Sequence, residues 1–123
     1  MESKMAELKD LLGKTMASVE NKGDELVFKT VEGKSFKLYH SQDCCESVNI
    51  ESVVGDLADL VGEPMLVAEE NTGDTPADYK FEYAPDSYTW TFYKFATRKG
   101  YVDVRWLGES NGYYSESVEF CEA

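Results

Sequence analysis

Basic charge, histidine and proline are scarce in this sequence, and long hydrophobic runs are missing. Its 123 residues carry 12 Lys+Arg against 24 Asp+Glu, a formal net charge of -12. That balance argues against a general DNA- or RNA-binding module, which gains affinity by neutralising phosphates and releasing their counterions. No apolar stretch approaches the roughly 20 residues of a bilayer-spanning helix, and Met1 to Leu12 lacks the basic start and apolar run of a secretory leader. A soluble, cytoplasmic chain is expected. The three cysteines are an odd number, with Cys44 and Cys45 adjacent, so no secreted disulfide framework is indicated and reduced thiols are the default. G-x-S-x-G, H-E-x-x-H, phosphate-loop and dinucleotide fingerprints are absent, so neither an enzyme nor a cofactor is expected.

What is present argues for a folded domain. A hydrophobic content of 42%, with 6 Phe, 8 Tyr and 2 Trp, is too high for a disordered acidic tail. The length fits a single domain over residues 1–123, large enough to form a core without a structural metal. The acidity is local: residues 1–40 hold 7 basic and 7 acidic side chains, residues 41–86 hold 1 and 12, and residues 87–123 hold 4 and 5.

Met5, Leu8, Leu11 and Leu12 recur at helical spacing before Gly13, which predicts a short N-terminal helix. Met16 to Glu20, Glu25 to Val31 and Ser35 to Tyr39 read as an antiparallel meander, turning at Asn21 to Asp24 and at Glu32-Gly33. Ser47 to Ile50 reads as a strand leading into a helix with Val53, Val54, Leu57, Leu60 and Val61 on one face. Glu69 to Asp86 is mostly loop, with Tyr79, Phe81 and Tyr83 as a candidate strand. Ser87 to Thr97 alternates as a strand, turns at Arg98-Lys99-Gly100, and returns through Val102, Val104 and Trp106; a last strand runs through Val118 and Phe120. The expected fold class is α+β, an antiparallel sheet of a meander plus C-terminal hairpins with one or two helices packed on it.

The strings Tyr39-His40-Ser41-Gln42-Asp43-Cys44-Cys45-Glu46-Ser47-Val48, Tyr88 to Tyr93 and Arg105 to Ser115 carry a resemblance. The chain resembles a family of small uncharacterised proteins of bacteriophages and prophages. The resemblance implies a setting, accessory factors that blunt host defences, and no settled activity.

Several side-chain groups could carry chemistry. His40 precedes Cys44 by four residues, the outline of a base beside a nucleophile, but Ser41 and Asp43 suit turn capping and a small cysteine suits packing, so a structural knot is the stronger reading. Zinc at His40, Cys44, Cys45 and Cys121 lacks C-x2-C spacing, and Asp74 with Asp78 lacks the pattern of a calcium loop, so no metal is expected.

Twelve aromatics fall between Tyr79 and Tyr114. Trp90, Phe92 and Trp106 are expected in the core with Val102 and Val104, leaving Tyr93, Tyr101, Tyr113 and Tyr114 near Lys94 and Arg105 on the surface. Aromatic faces stack on bases, Arg105 can pair with phosphate, and the Ser110-Asn111-Gly112 turn offers N–H groups. The expected ligand site is Tyr93, Arg105, Ser110, Asn111, Tyr113 and Tyr114, with His40, Ser41, Gln42 and Asp43 as a second wall. Cross-strand stabilisation and a homo-oligomer interface are competing uses of the same aromatics.

The expected function is counter-defence by sequestering a nucleotide-derived signalling molecule, without catalysis. The alternative is an acidic decoy that binds a host defence protein through residues 41–86, with Asp56, Asp59, Glu63, Glu69, Glu70, Asp74 and Asp78 standing in for phosphates.

Overall fold

Period-two alternation of apolar residues dominates the regular part of the chain, and its structure, a computed structural model describing residues 4–123, is built on nine strands joined by turns and loops. β1 (Lys4–Met5), β2 (Met16–Asn21), β3 (Glu25–Thr30), β4 (Ser35–Tyr39), β5 (Ser47–Val54), β6 (Val67–Gly73), β7 (Ser87–Thr97), β8 (Gly100–Ser110) and β9 (Glu119–Glu122) follow in chain order. They form a five-stranded sheet, β1-β9-β4-β3-β2, and a four-stranded sheet, β5-β8-β7-β6, with every neighbouring pair antiparallel. One core lies between them, with Leu26, Phe28, Phe36, Leu38 and Phe120 from the first sheet and Tyr93, Phe95, Val102, Val104 and Trp106 from the second. Phe28 and Phe95 meet edge to face across the layers at 5.1 Å. Burial of each such side chain contributes roughly 1.5–3 kcal/mol.

The α+β expectation is overturned. Among the described residues there is no α-helix, only 3-10 turns at Leu8–Leu11 and Leu57–Leu60. In place of the N-terminal helix, Met5 pairs with Cys121 on β9, and a single turn follows before Gly13 enters positive φ at 81°. So few residues cannot sustain a helix against an open sheet edge, because helix nucleation is costly and its return comes only with length. The second helix fails for a related reason. β5 runs on through Val53 and Val54, which pair with Val104 and Asp103, and Gly55 at φ 108° then breaks the chain. Asp56 Oδ1 accepts the Ala58 N–H at 2.9 Å to cap the one turn that remains. None of these elements is a helix long and apolar enough to cross a membrane.

The β7–β8 hairpin corrects the expected core. A three-residue turn at Arg98-Lys99-Gly100 would set Trp90 and Phe92 on the face of Val102, Val104 and Trp106. Instead Thr97 pairs with Gly100, so Tyr93 lies opposite Val104, Phe95 opposite Val102, and Phe92 opposite Arg105. Directly opposed residues share a face, and a one-residue shift exchanges the faces of a whole strand. Thr91, Tyr93, Phe95 and Thr97 therefore point inward and are buried, while Phe92 is on the outer face. Trp90 is also on the outer face, yet only 1% exposed, because the loop after β6 folds over it. Tyr79 and Phe81 from that loop contact its ring at 4.9 and 6.3 Å, and Thr75 Oγ1 accepts its indole N–H at 3.0 Å. The Tyr79-Phe81-Tyr83 strand does not form, and β6 occupies the sheet edge instead.

The chain changes sheet twice, from β4 to β5 and from β8 to β9. The second crossing lies tightly on β8: a Cβ at Gly108 would come within 2.5 Å of the Glu116 carbonyl oxygen. Gly108→Ala is expected to lower the unfolding free energy by about 2 kcal/mol, since neither backbone can yield without disturbing the ladder. Tyr93→Phe should leave stability unchanged or raise it by up to about 1 kcal/mol, because the buried Tyr93 hydroxyl has no hydrogen-bond partner among the described residues. Urea unfolding of both variants checks the two values.

Candidate functional site

The outer face of the four-stranded sheet holds an open concavity of about 550 Å3. Strand register builds it from two rows that cross all four strands. Ser52, Arg105, Phe92 and Asn71 form one row, and Val54, Asp103, Lys94 and Glu69 form the next. Pro76 closes one side. Phe92 is half-buried and offers part of its ring as an apolar floor, whereas Lys94, Glu69 and Asn71 are exposed.

Arg105 is fixed by carboxylates. A bulge between Ile50 and Ser52 in the β5–β8 pairing places Glu51 so that its carboxylate accepts the Arg105 Nε–H, and Asp78 Oδ1 accepts from Nη1 at 3.0 Å. The guanidinium lies over the Trp90 ring at 5.6 Å, a cation–π distance. Hydrogen bonds donated to Glu51 and Asp78 push the Arg105 pKa up, and the bond from Arg105 holds the Asp78 carboxyl below its usual range. Arg105 is thus a preorganised cation whose charge is already largely balanced. Lys94, 5.1 Å from the Tyr101 ring centroid, is the other cation of the recess, flanked in register by Glu69 and Asp103.

The residues singled out from sequence do not form one site. Tyr93, expected at the surface, is 2% exposed in the core, where burial and then Glu70 raise its phenol pKa. Arg105 faces outward, whereas Ser110 lies at the inward-facing end of β8, five residues on and roughly 17 Å along the strand. Ser110 Oγ donates to Glu116 at 2.5 Å and accepts the Gly112 N–H at 2.9 Å, and Asn111 Oδ1 accepts the Tyr113 N–H at 2.9 Å. Thr89 Oγ1 also donates to Glu116, at 2.7 Å. Desolvation pushes the Glu116 pKa up, but these hydroxyl donors outweigh it and the net direction is down. Ser110 and Asn111 therefore shape a turn, at whose tip Tyr113 is exposed with Tyr114 packed edge-on at 5.4 Å. Phe92, Asn71 and Ser52 were missed as site residues, and counting two turn residues in the β7–β8 hairpin would have found Phe92.

The His40 segment forms its own cluster in the first crossing. Glu46, with no side-chain exposure, accepts from His40 Nε2 at 2.7 Å, Asp43 N–H at 3.0 Å, Cys44 N–H at 2.9 Å and Gln42 Nε2 at 3.2 Å. His40 Nδ1 lies 2.7 Å from the Ser117 carbonyl, in the second crossing. The two ring nitrogens thus tie the Glu46 carboxylate to the Ser117 carbonyl, joining the two crossings through one side chain. Ser41 is exposed beside this cluster. Cys44 and Cys45 are exposed at the tip of this segment, and Cys121 is buried in β9. Neither His40 with Cys44 nor a four-donor zinc set is assembled. No group of three or more His, Cys, Asp or Glu positioned for a metal occurs among the described residues.

Fold and site together define a two-sheet antiparallel β-sandwich with an open, mixed-charge recess on one outer face. The chain belongs to the family described as a domain of unknown function (DUF7448), which matches residues 9–120. No curated protein and no solved structure matches it.

Hydrogen bonding to His40 comes first among the causes that lower Glu46 from 4.5 to about 2, with backbone N–H groups adding to it and desolvation opposing. A carboxyl depressed in the folded state stabilises it fully above the unfolded pKa, and that contribution is lost as pH falls toward the folded value. Melting temperature should therefore drop as pH falls from about 4.5 to about 2. In Glu46→Gln, the drop over this window should be smaller than in the parent chain, as followed by circular dichroism.

Proposed function

We propose that this protein acts by binding and without catalysis, holding a nucleotide-derived signalling molecule in the recess of the four-stranded sheet. The setting proposed with it is that of a phage-type accessory protein acting against host defence in the host cytoplasm. One observation carries the reading: a single face presents the half-buried Phe92 ring between the anchored Arg105 guanidinium and the Asn71 amide. A base stacks on such a ring, and its polar edge is met by Asn71, Ser52 and the Glu69 carboxylate. Lys94 and the N–H groups of Arg105 that Glu51 and Asp78 leave unspent address an anionic group. The recess volume, about 550 Å3, suits a ligand of mononucleotide size or somewhat larger.

The decoy reading has less support. Of the carboxylates in residues 41–86, Glu46, Glu51 and Asp78 are engaged by His40 and Arg105, Glu63 pairs with Arg98 at 2.9 Å, and Asp56 caps a turn. Carboxylates already paired within the fold present less phosphate-like charge to a partner.

Thermal-shift titration with ADP-ribose, a cyclic dinucleotide and the corresponding mononucleotides tests the proposal. A ligand at one hundred times its dissociation constant stabilises by about 2.7 kcal/mol, which raises the melting temperature by several degrees. Phe92→Ala and Lys94→Ala should abolish the shift while melting within a few degrees of the parent chain, since both side chains lie on the outer face. No shift with any of these probes, or an undiminished shift in both variants, sinks the reading.

A further inference from the structure

The two cations of the recess are outnumbered by carboxylates. Glu51 and Asp78 are bonded to Arg105, while Glu69 and Asp103 oppose Lys94 in the ladder, so the group of six carries a net charge of -2. The cationic heads also lean apart. Successive outward-facing rows of side chains lie roughly 7 Å apart along the strands. Arg105 shares a row with Phe92, and its guanidinium reaches over Trp90, one row away in one direction. Lys94 is one row away in the other direction, and its Nζ lies over the ring of Tyr101, in the row beyond. The two heads therefore do not converge over the Phe92 ring.

The donors left on Arg105 are few. A guanidinium has five N–H groups. Nε gives its one to Glu51, while Nη1 and Nη2 each give one to Asp78, at 3.0 and 3.5 Å. One N–H remains on each Nη nitrogen. A phosphate bridged on two of its oxygens has a single negative charge and two free oxygens to accept them. A terminal phosphate carries roughly -1.5 to -2 at neutral pH on three such oxygens, a charge that converging cations would have to balance. In this recess the second charge would face carboxylates instead, and like charges held close disfavour a partner.

We propose that the recess selects ligands whose phosphates are all internal, each bridged on two oxygens, and rejects ligands that end in a free phosphate. This specificity rests on the recess being the nucleotide site. Asp103 contributes to it by repelling the added charge beside Lys94, whereas Glu69 also meets the base edge.

Isothermal titration calorimetry at neutral pH tests the proposal with pairs that differ at the phosphate terminus. They are a cyclic mononucleotide against its 5′-monophosphate, a cyclic dinucleotide against the linear dinucleotide with a terminal phosphate, and ADP-ribose against adenosine diphosphate. Within every pair that binds, the terminal phosphate should weaken affinity by about tenfold, the effect of one added charge near this net negative group in a solvent-open site. Asp103→Asn changes charge without changing shape. It should narrow the ratio to about threefold while the variant melts within a few degrees of the parent chain. Equal or tighter binding of the terminal phosphate overturns the proposal and leaves recess binding standing, as does a ratio that Asp103→Asn leaves unchanged. If no member of any pair binds, the binding reading fails and the proposal with it.

Discussion

Thr97 pairs with Gly100 across the turn at Arg98 and Lys99, and that pairing sets the orientation of the two longest strands, Ser87–Thr97 and Gly100–Ser110. From it follow eleven opposed pairs in register, with Tyr93, Phe95, Val102, Val104 and Trp106 turned to the core and Phe92, Lys94, Asp103 and Arg105 turned out. The turn is itself held from outside the hairpin. Lys99 Nζ donates to the Ala58 and Val61 carbonyls at 3.0 Å each, and Thr97 Oγ1 donates to the Asp59 carbonyl. A slip of one residue would either bury Lys94 and expose Tyr93 and Phe95, or bury Arg105 and expose Val102, Val104 and Trp106, so the core and the recess are two consequences of a single registration.

Carboxylates, the most abundant charge in the chain, serve as the organising groups of its irregular segments. Glu46 gathers the crossing from β4 to β5, and Glu116 gathers the return to β9 by accepting from Ser110 and Thr89. Glu51 and Asp78 fix Arg105 over Trp90, which brings the loop after β6 onto the sheet. A shielded carboxylate is tolerated only where donors replace its water, and the lowered pKa values of Glu46 and Glu116 express that replacement. The acidity of residues 41–86 is therefore partly architectural, which shifts attention from a decoy surface to the recess those same residues help to build.

The candidate site was partly legible in advance. Arg105 among aromatics was visible, and the sheet places it in the recess. Tyr93 was misplaced because alternation reveals that two faces differ without revealing which is inward; both faces of Ser87–Thr97 carry large rings, and only pairing with Val104 decides between them. Ser110 and Asn111 lie near Arg105 in sequence but at another end and on another face. His40 proved to neighbour Ser117, 77 positions away, a proximity created by two crossings meeting at one end of the sandwich.

The sequence by itself determined the positions of most strands and turns, the concentration of acidity in residues 41–86, and the irregular knot around His40, because alternation, Gly and Asn turn chemistry and charge are local properties. Only tertiary structure decided that the N-terminal and Val53–Val61 segments are not helices, since sheet edges offered their backbones more hydrogen bonds than a single turn could. It alone decided which face of each strand is buried. It also brought Ser117 to His40, because that contact depends on how the two crossings fold back, which no local pattern encodes.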